Sequence, residues 1–587
     1  MARSVILASN DSTRYYLTSY LITTTDQTTW PETGHLVFIG TFCLPDDPDS
    51  LLDKYTYEIA DTAVTSDNKL RCFQLSESVH ASLSAQIADA LNQSHQSSKS
   101  VRYWEILTGS WLRLFIDLLI SRIFIITKLK EMHPDIQLVY AEATKSRRTP
   151  FNTADFHSLT KSTEWNSLVY ADLWNTASAE HISSPDRTTR PARMHPKPQS
   201  SKLSGYVLSV TYLPRMQELL LQLQLGTKYK RLRVINPPAT PVDNEARQQL
   251  VFDESQSNDV ERFLIKLVRG YLPTSFLEGF AALRMSICRM RFPNNPKAIF
   301  TSNRHIYDDV FNAWVADTTE HGSRLILGQH GGHYGISKFS SFAERHEKSV
   351  SDSYLTWGWK PSSSSVSGII LTTVGSRWKH RESRSRLLLV TDELWSQPRA
   401  VYADIPETSD YLDHLGLLVR SLPTSIQQSL ELRRHLGQSV VGHPVENWWR
   451  NQLPAIDLGD PLIPFSQVVK NAKVVVVAHN GTTIPENFSQ AIPTLITWTS
   501  NWVEIRDEAK PVFAKLAEVG IFHEDPVSLA KHVSAIWDNV DAWWESKEVV
   551  EARELFCSQY ARSVPQPRKF LREIIVGKSI IEKQGDL

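Results

Sequence analysis

An α/β fold with two Rossmann-like lobes and a cleft between them is what this sequence predicts, and three observations carry the prediction. Short apolar runs that read as buried strands (GHLVFIGTF, KAIFTSN, RLILG, LLLVT, AKVVVVA) alternate with segments of helical spacing. The alternation runs through both halves of a 587-residue chain, which is long enough for two large domains or three smaller ones. Several of the runs end in glycine, histidine or small hydroxyl residues, the composition of ligand loops at the carboxyl ends of parallel strands.

Taken in order, the elements begin at SVILAS, which reads as a first buried strand because its apolar run is too short for a signal-peptide core. GHLVFIGTF and IQLVYAEA supply further strands, and SVHASLSAQIADALNQ a helix. The apolar stretch from 111 to 129 contains Arg113, Asp117, Arg122 and Lys128, and charges at a bilayer centre are costly, so it predicts a long core helix and no transmembrane span. Residues 183–204, with four prolines, read as a surface loop. A helical, Arg-rich block then leads to KAIFTSN, the helix DDVFNAWVADTTEHG and the strand RLILGQHGG, a βαβ unit. Polar and basic residues follow, and a fresh strand, LLLVT, places the domain boundary at 385/386. Residues 1–385 are expected to form an N-terminal Rossmann-like lobe with helical insertions. Residues 386–587 are expected to form a C-terminal Rossmann-like lobe: a helix over 408–434, a strand in QSVVGHP, the strand AKVVVVA, PTLITW and terminal helices.

Composition narrows the function. Lys plus Arg (63) balance Asp plus Glu (64), so no general affinity for nucleic acid is expected and any anion site must be local. Four cysteines lie far apart with no CxxC spacing, which argues against structural zinc and a disulfide framework and fits a cytoplasmic setting. The one DxD string, Asp47-Pro48-Asp49, sits in a polar loop and is not expected to hold a metal.

Four loops can carry chemistry. In LILGQHGGHYG, Gly331 and Gly332 let a ligand approach the backbone, with Gln329, His330 and Tyr334 beside them. The spacing is neither a P-loop nor a dinucleotide fingerprint. After KAIFT come Asn303 and Arg304, then Asp308 and Asp309, carboxylates that either stabilise a helix N-terminus or serve as base or nucleophile. Pro444 holds His443 in extended geometry, aiming it out of a strand end. After AKVVVVAH, the residues Asn480, Gly481, Thr482 and Thr483 meet a helix start, with Glu486 placed to accept from ribose hydroxyls.

The segments GQHGGHYG, SDSYLTWGW, YWEILTGSWL, TSNRHIYDD and ENFSQAIPTLITW, spanning about residues 100–500, resemble a family of transferases encoded among bacterial O-antigen and surface-polysaccharide genes. That family is distantly similar to the capsule-type β-Kdo transferases, GT-B enzymes that use a CMP-activated sugar acid. The resemblance implies a GT-B-like fold, with His443, Pro444, Thr482 and Thr483 holding CMP and a carboxylate of the N-terminal lobe acting at the anomeric carbon. Asp308, Asp309 and Glu142 are the candidates for that carboxylate, and His330 would assist at the leaving phosphate or the acceptor.

The expectation is a metal-independent glycosyltransferase with no cofactor beyond a nucleotide-sugar donor, acting on a glycan or lipid-linked acceptor. It would be cytoplasmic, with peripheral contact at the inner membrane face through basic segments such as SRWKHRESRSR. The rivals are a UDP- or GDP-sugar transferase or epimerase of the same architecture, and a non-catalytic nucleotide- or glycan-binding protein.

Overall fold

The structure, a computed structural model, describes residues 18–577 except 46–50, 52–53, 141–146, 177–202, 228–236, 255–258, 291, 361–364, 377, 379–383, 393, 395–398, 405–407 and 436–443. The chain forms two compact units. The first comprises Met1–His195, Asn236–Met285 and Trp395–Ala403; the second comprises Pro196–Ile235, Ser286–Leu394 and Asp404–Leu587.

The first unit carries a parallel sheet of β1 (Ser19–Ile22), β2 (His35–Phe38), β3 (Thr56–Ile59) and β4 (Gln137–Val139), in the order β3-β2-β1-β4. Two long helices, α1 (Ser66–Ser94) and α2 (Val101–Met132), pack against each other. Each starts at a capping hydroxyl, Thr65 accepting from the Asn68 amide and Ser100 from the Tyr103 amide. The apolar stretch 111–129 lies inside α2 and is almost wholly buried. Buried charge demands partners, and its charges have them: Arg113 pairs with Glu77 at 3.0 Å, Asp117 accepts from the Ser76 hydroxyl, and Arg122 donates to Asn166. Among the described residues no helix is long and apolar enough to cross a membrane. The expected strand SVILAS and most of the proline-bearing loop lie outside the described residues.

The second unit holds two five-stranded parallel sheets. One runs β5-β6-β7-β8-β9, with β5 Tyr206–Leu208, β6 Ala298–Thr301, β7 Arg324–Gly328, β8 Ser353–Leu355 and β9 Ser365–Val366. Its helix α3 (Asp309–Glu320) connects β6 to β7, and α4 (Phe342–Val350) connects β7 to β8. Leu208, Phe300, Ile326 and Leu355 form its core together with Leu221 and with Leu571, Ile574 and Ile575 of the C-terminal helix. Burying each such side chain contributes about 1.5–3 kcal/mol.

The other sheet comprises β10 (Arg386–Val390), β11 (Leu430–Arg433), β12 (Ala472–Val477), β13 (Thr494–Thr497) and β14 (Phe522–His523). Its order is β11-β10-β12-β13-β14, so the direction of winding reverses between β10 and β12. Strand β12 is buried on both faces from Val474 to Val477, which is why it reads as an unbroken apolar run. The α/β class with two Rossmann-like lobes is therefore observed. The 385/386 boundary falls between these two sheets, yet both sheets belong to one compact unit, and the β1–β4 sheet forms another.

One expected element is corrected. The helix over 408–434 ends at Ser421, because Pro423 cannot continue it, and Leu430–Arg433 pairs as edge strand β11. The expected QSVVGHP strand lies outside the described residues apart from Pro444, which begins a helix.

Candidate active site

The loop after β7 is held open from within. Gln329 is buried; its Nε2 donates to the Gly331 carbonyl at 2.8 Å, and its Oε1 accepts from the Trp357 amide and the Trp359 indole, both at 2.8 Å. A buried amide with three hydrogen bonds made, one donated and two accepted, is a rigid strut. Gly335, at φ +77°, lies so close to Trp359 that a Cβ would sit 2.5 Å from the indole. The backbone is thereby fixed on both sides of His330 and Gly332.

That loop meets the loop after β12 directly. The Gly332 amide donates to the Thr482 hydroxyl at 3.2 Å, and a Cβ on Gly332 would lie 2.4 Å from the Gly481 carbonyl oxygen. Thr482 precedes the short helix α5 (Thr483–Ser489) without capping it through its side chain. Farther along, Asn480 Nδ2 donates to the Ser337 hydroxyl at 3.0 Å, and Arg506 donates twice to the Ser337 carbonyl, at 3.0 and 2.8 Å. The Ser337 hydroxyl in turn donates to the Asp404 carboxylate. The carboxyl-end loops of one parallel sheet are thus locked onto those of the other, both within the second unit.

His330 stands beside this junction. Its Nδ1 lies 2.9 Å from Oε1 of Glu347 on α4, and His305 Nε2 approaches the same oxygen at 3.2 Å. Burial would push the Glu347 carboxyl up, but the neighbouring His330 and His305 outweigh it and hold the group down at about 2. Burial lowers His305, with Glu347 partly offsetting it. The other ring nitrogen of His330 lies 3.4 Å from the Tyr334 hydroxyl, and the Tyr212 ring stands 6.2 Å away, edge to face.

Tyr212 comes from the loop after β5, where Val210 (φ +49°) and Tyr212 (φ +61°) both adopt left-handed backbone that non-glycine residues avoid. Its hydroxyl accepts from Asn303 Nδ2 at 2.6 Å. Burial raises the Tyr212 phenol against the Asn303 hydrogen bond, which lowers it, and Tyr307, Glu347 and Glu486 add to the rise. Glu486 on α5 is itself raised by burial, against a hydrogen bond from Thr372. The loops after β5 and β6 therefore flank His330 through Tyr212 and His305, and the loop after β12 meets the His330 loop at Gly332.

Residues 19–575 match the family described as LIC12162 family transferase. The chain belongs to this transferase family. No curated protein matches it. Among solved structures, it is similar to MnaA of S. aureus in its UDP co-structure, at 12% identity and a TM-score of 0.36 over 64% of this chain and 95% of that one. MurG of Acinetobacter baumannii aligns at 12% identity and 0.32 over 63% and 99%, and the wall teichoic acid polymerase TagF at 9% and 0.33 over 63% and 88%.

In this transferase, His330, Gly331, Gly332, Asn303, Tyr334, Asn480, Gly481, Thr482, Thr483 and Glu486 fall on the loops or helix start that meet at the junction. Three expected ligand or catalytic residues, Asp308, Arg304 and Gln329, make bonds within the protein, and a fourth, Asp309, is buried. Asp308 caps α3, accepting from the Phe311 amide at 2.9 Å, and is paired with the buried Arg304 at 2.8 Å. Arg304 also donates to Ser209 and lies over the Phe311 ring, so its guanidinium is spent inside the protein. Asp309 is buried in the first turn of α3, and Gln329 faces its loop. Glu142, His443 and the Asp47-Pro48-Asp49 string lie outside the described residues. Among the described residues no group of three His, Cys, Asp or Glu side chains could hold a metal ion.

Sequence reading missed Glu347, His305 and Tyr212. Glu347 lies in FAERHEKSV, whose density of charge reads as a solvated helix, although residues 343–347 are all buried.

Proposed function

We propose that this transferase is a glycosyltransferase of GT-B type, binding a nucleotide-activated sugar at the loop 479–483 and presenting an acceptor hydroxyl near His330. The observation that carries the reading is the apposition of Gly332 and Gly481: carboxyl-end loops of two parallel sheets meet with no side chain between them. Open α/β sheets bind ligands at carboxyl ends, beside the point where winding reverses. Loop 479–483 leaves β12 next to that point. Asn480, Gly481, Thr482 and Thr483 then offer small polar contacts to a phosphate-bearing ligand, and Glu486 a ribose acceptor.

Following the resemblance to β-Kdo transferases, the donor is a CMP-activated ulosonic or nonulosonic acid and the acceptor a surface glycan or its lipid-linked precursor. The protein would work in the cytoplasm at the inner membrane face, without a metal. A thermal-shift series with CMP, CDP, UDP and GDP, followed by mass detection of products from CMP-sugars, tests this. Protection by CMP and release of CMP with transfer are expected; a ligand at about 100 times its Kd adds about 2.7 kcal/mol. Protection by UDP or GDP alone would move the donor to the rival transferase or epimerase class. Binding of every donor without turnover would leave a binding protein.

A further inference from the structure

We propose that Glu347 is a positioning residue that makes His330 the general base of the transfer, holding the ring through Nδ1 so that Nε2 receives the acceptor proton. The inference rests on the transferase reading and deepens it. Three observations support it together. The Nδ1 of His330 is buried and lies 2.9 Å, an ion-pair distance, from Glu347 Oε1, while Nε2 on the other edge lies 3.4 Å from the Tyr334 hydroxyl. Glu347 is fully buried, and a buried carboxylate needs polar partners, which the ring nitrogens of His305 and His330 provide at one oxygen, at 3.2 and 2.9 Å. Of the three carboxylates that sequence offered, Asp308 and Asp309 are buried at the start of α3, with Asp308 bound to Arg304, and Glu142 lies outside the described residues.

A carboxylate facing one imidazole nitrogen fixes which nitrogen carries the proton and leaves the other free to accept. In the step that follows, Nε2 takes the proton of the acceptor hydroxyl as that oxygen bonds to the anomeric carbon of the donor. The bond from that carbon to the phosphate oxygen breaks, and its electron pair leaves with the nucleotide. The resulting imidazolium is stabilised by the Glu347 carboxylate. A single displacement of this kind inverts the anomeric centre. Tyr334, Tyr212 and His305 fix the remaining sides of the ring.

The test compares the full-length wild type with Glu347→Gln, Glu347→Asp, His330→Gln and the double variant Glu347→Gln/His330→Gln. With a turned-over donor, His330→Gln should lower kcat by about 10²–10⁴-fold. Glu347→Gln should lower kcat at least about tenfold while the donor KM stays within about twofold, Glu347→Asp should recover part of the loss, and the double variant should be no worse than His330→Gln. Nitrogen NMR of histidine-labelled wild type, with His330 assigned by the His330→Gln variant, should show neutral His330 protonated at Nδ1, and Glu347→Gln should mix the tautomers. The NMR result stands whether or not a donor has been found, so loss of the transferase reading alone is told apart from loss of this one. Neutral His330 protonated at Nε2 in the wild type, or a folded Glu347→Gln protein with unchanged kcat, overturns the proposal.

Discussion

Gly332 and Thr482, 150 positions apart in the chain, are joined by an amide-to-hydroxyl hydrogen bond of 3.2 Å, and any side chain at 332 would strike the backbone of Gly481. Backbone cannot step aside as a side-chain tip can. Gly332→Ala should therefore either part the two loops or strain them, costing about 1–3 kcal/mol, the range for overpacking a tight site. Gly270→Ala is the control: nothing lies within 4 Å of its Cβ position, and the residue is inside a helix. There alanine should be neutral or stabilising by up to about 1 kcal/mol. Thermal melting of the two variants checks the contrast, and equal midpoints would mean the loops do not touch in solution.

Asp308 yields a prediction opposite to the one its sequence suggests. It caps α3 and pairs with Arg304, both groups being nearly inaccessible. Removing one partner of a buried pair costs about 3–5 kcal/mol, because the other charge stays behind unpaired. Asp308→Ala should thus lower the denaturation midpoint sharply and reduce activity only as folded protein is lost. A fully stable Asp308→Ala protein devoid of transfer would return this carboxylate to the reaction.

What could be read from sequence followed from burial on both faces. AKVVVVA, KAIFT and LLLVT announce themselves because a central parallel strand has no polar side to interrupt it. LELR did not, because β11 sits at the sheet edge with Glu431 and Arg433 half-buried. The glycine-histidine loop was legible for its composition; its partner was not. Glu347 lies 17 positions downstream in a helix whose charges look solvated, and only the packing of α4 turns them inward. Asp308 and Asp309 show the converse, since an acidic pair before a helix is the same string of letters whether it caps or catalyses.

Partly buried histidines with lowered pKa values give the protein an acid-labile side. Burial brings His333 from 6.5 down to about 4, against Glu344 and Glu347, which raise it, and His330 and Arg506, which lower it further. Burial likewise brings His414 from 6.5 to about 4, with Asp525 opposing. Between those values the unfolded chain binds protons that the folded chain refuses, so stability rises with pH across that window and falls as pH drops from about 6.5 toward about 4. Urea midpoints measured at pH 7.5 and 5 should differ in that direction, and His414→Gln should shrink the difference. A midpoint that climbs on acidification would show that these rings are not held neutral.

Val210 stores the strain that aims Tyr212. A β-branched residue at φ +49° is a true outlier, of order 1–3 kcal/mol. The conformation persists because Ser302 at the end of β6 holds both sides of it, its amide donating to the Val210 carbonyl at 3.0 Å and its hydroxyl to the Thr211 carbonyl at 3.1 Å. The side chain itself is 43% exposed, so little packing is lost by changing it. Asparagine tolerates left-handed backbone better than valine does. Val210→Asn should then raise the thermal midpoint by the equivalent of about 1 kcal/mol without moving Tyr212 from the Asn303 amide. Deleting the ring by Tyr212→Ala should leave His330 open on one side and reduce transfer more than it reduces stability. Relief of strain by substitution at this strand end would fit a loop whose shape is kept for the site beside His330. If Val210→Asn is instead destabilising by a similar amount, the left-handed turn is held by contacts of the valine itself and carries no such meaning.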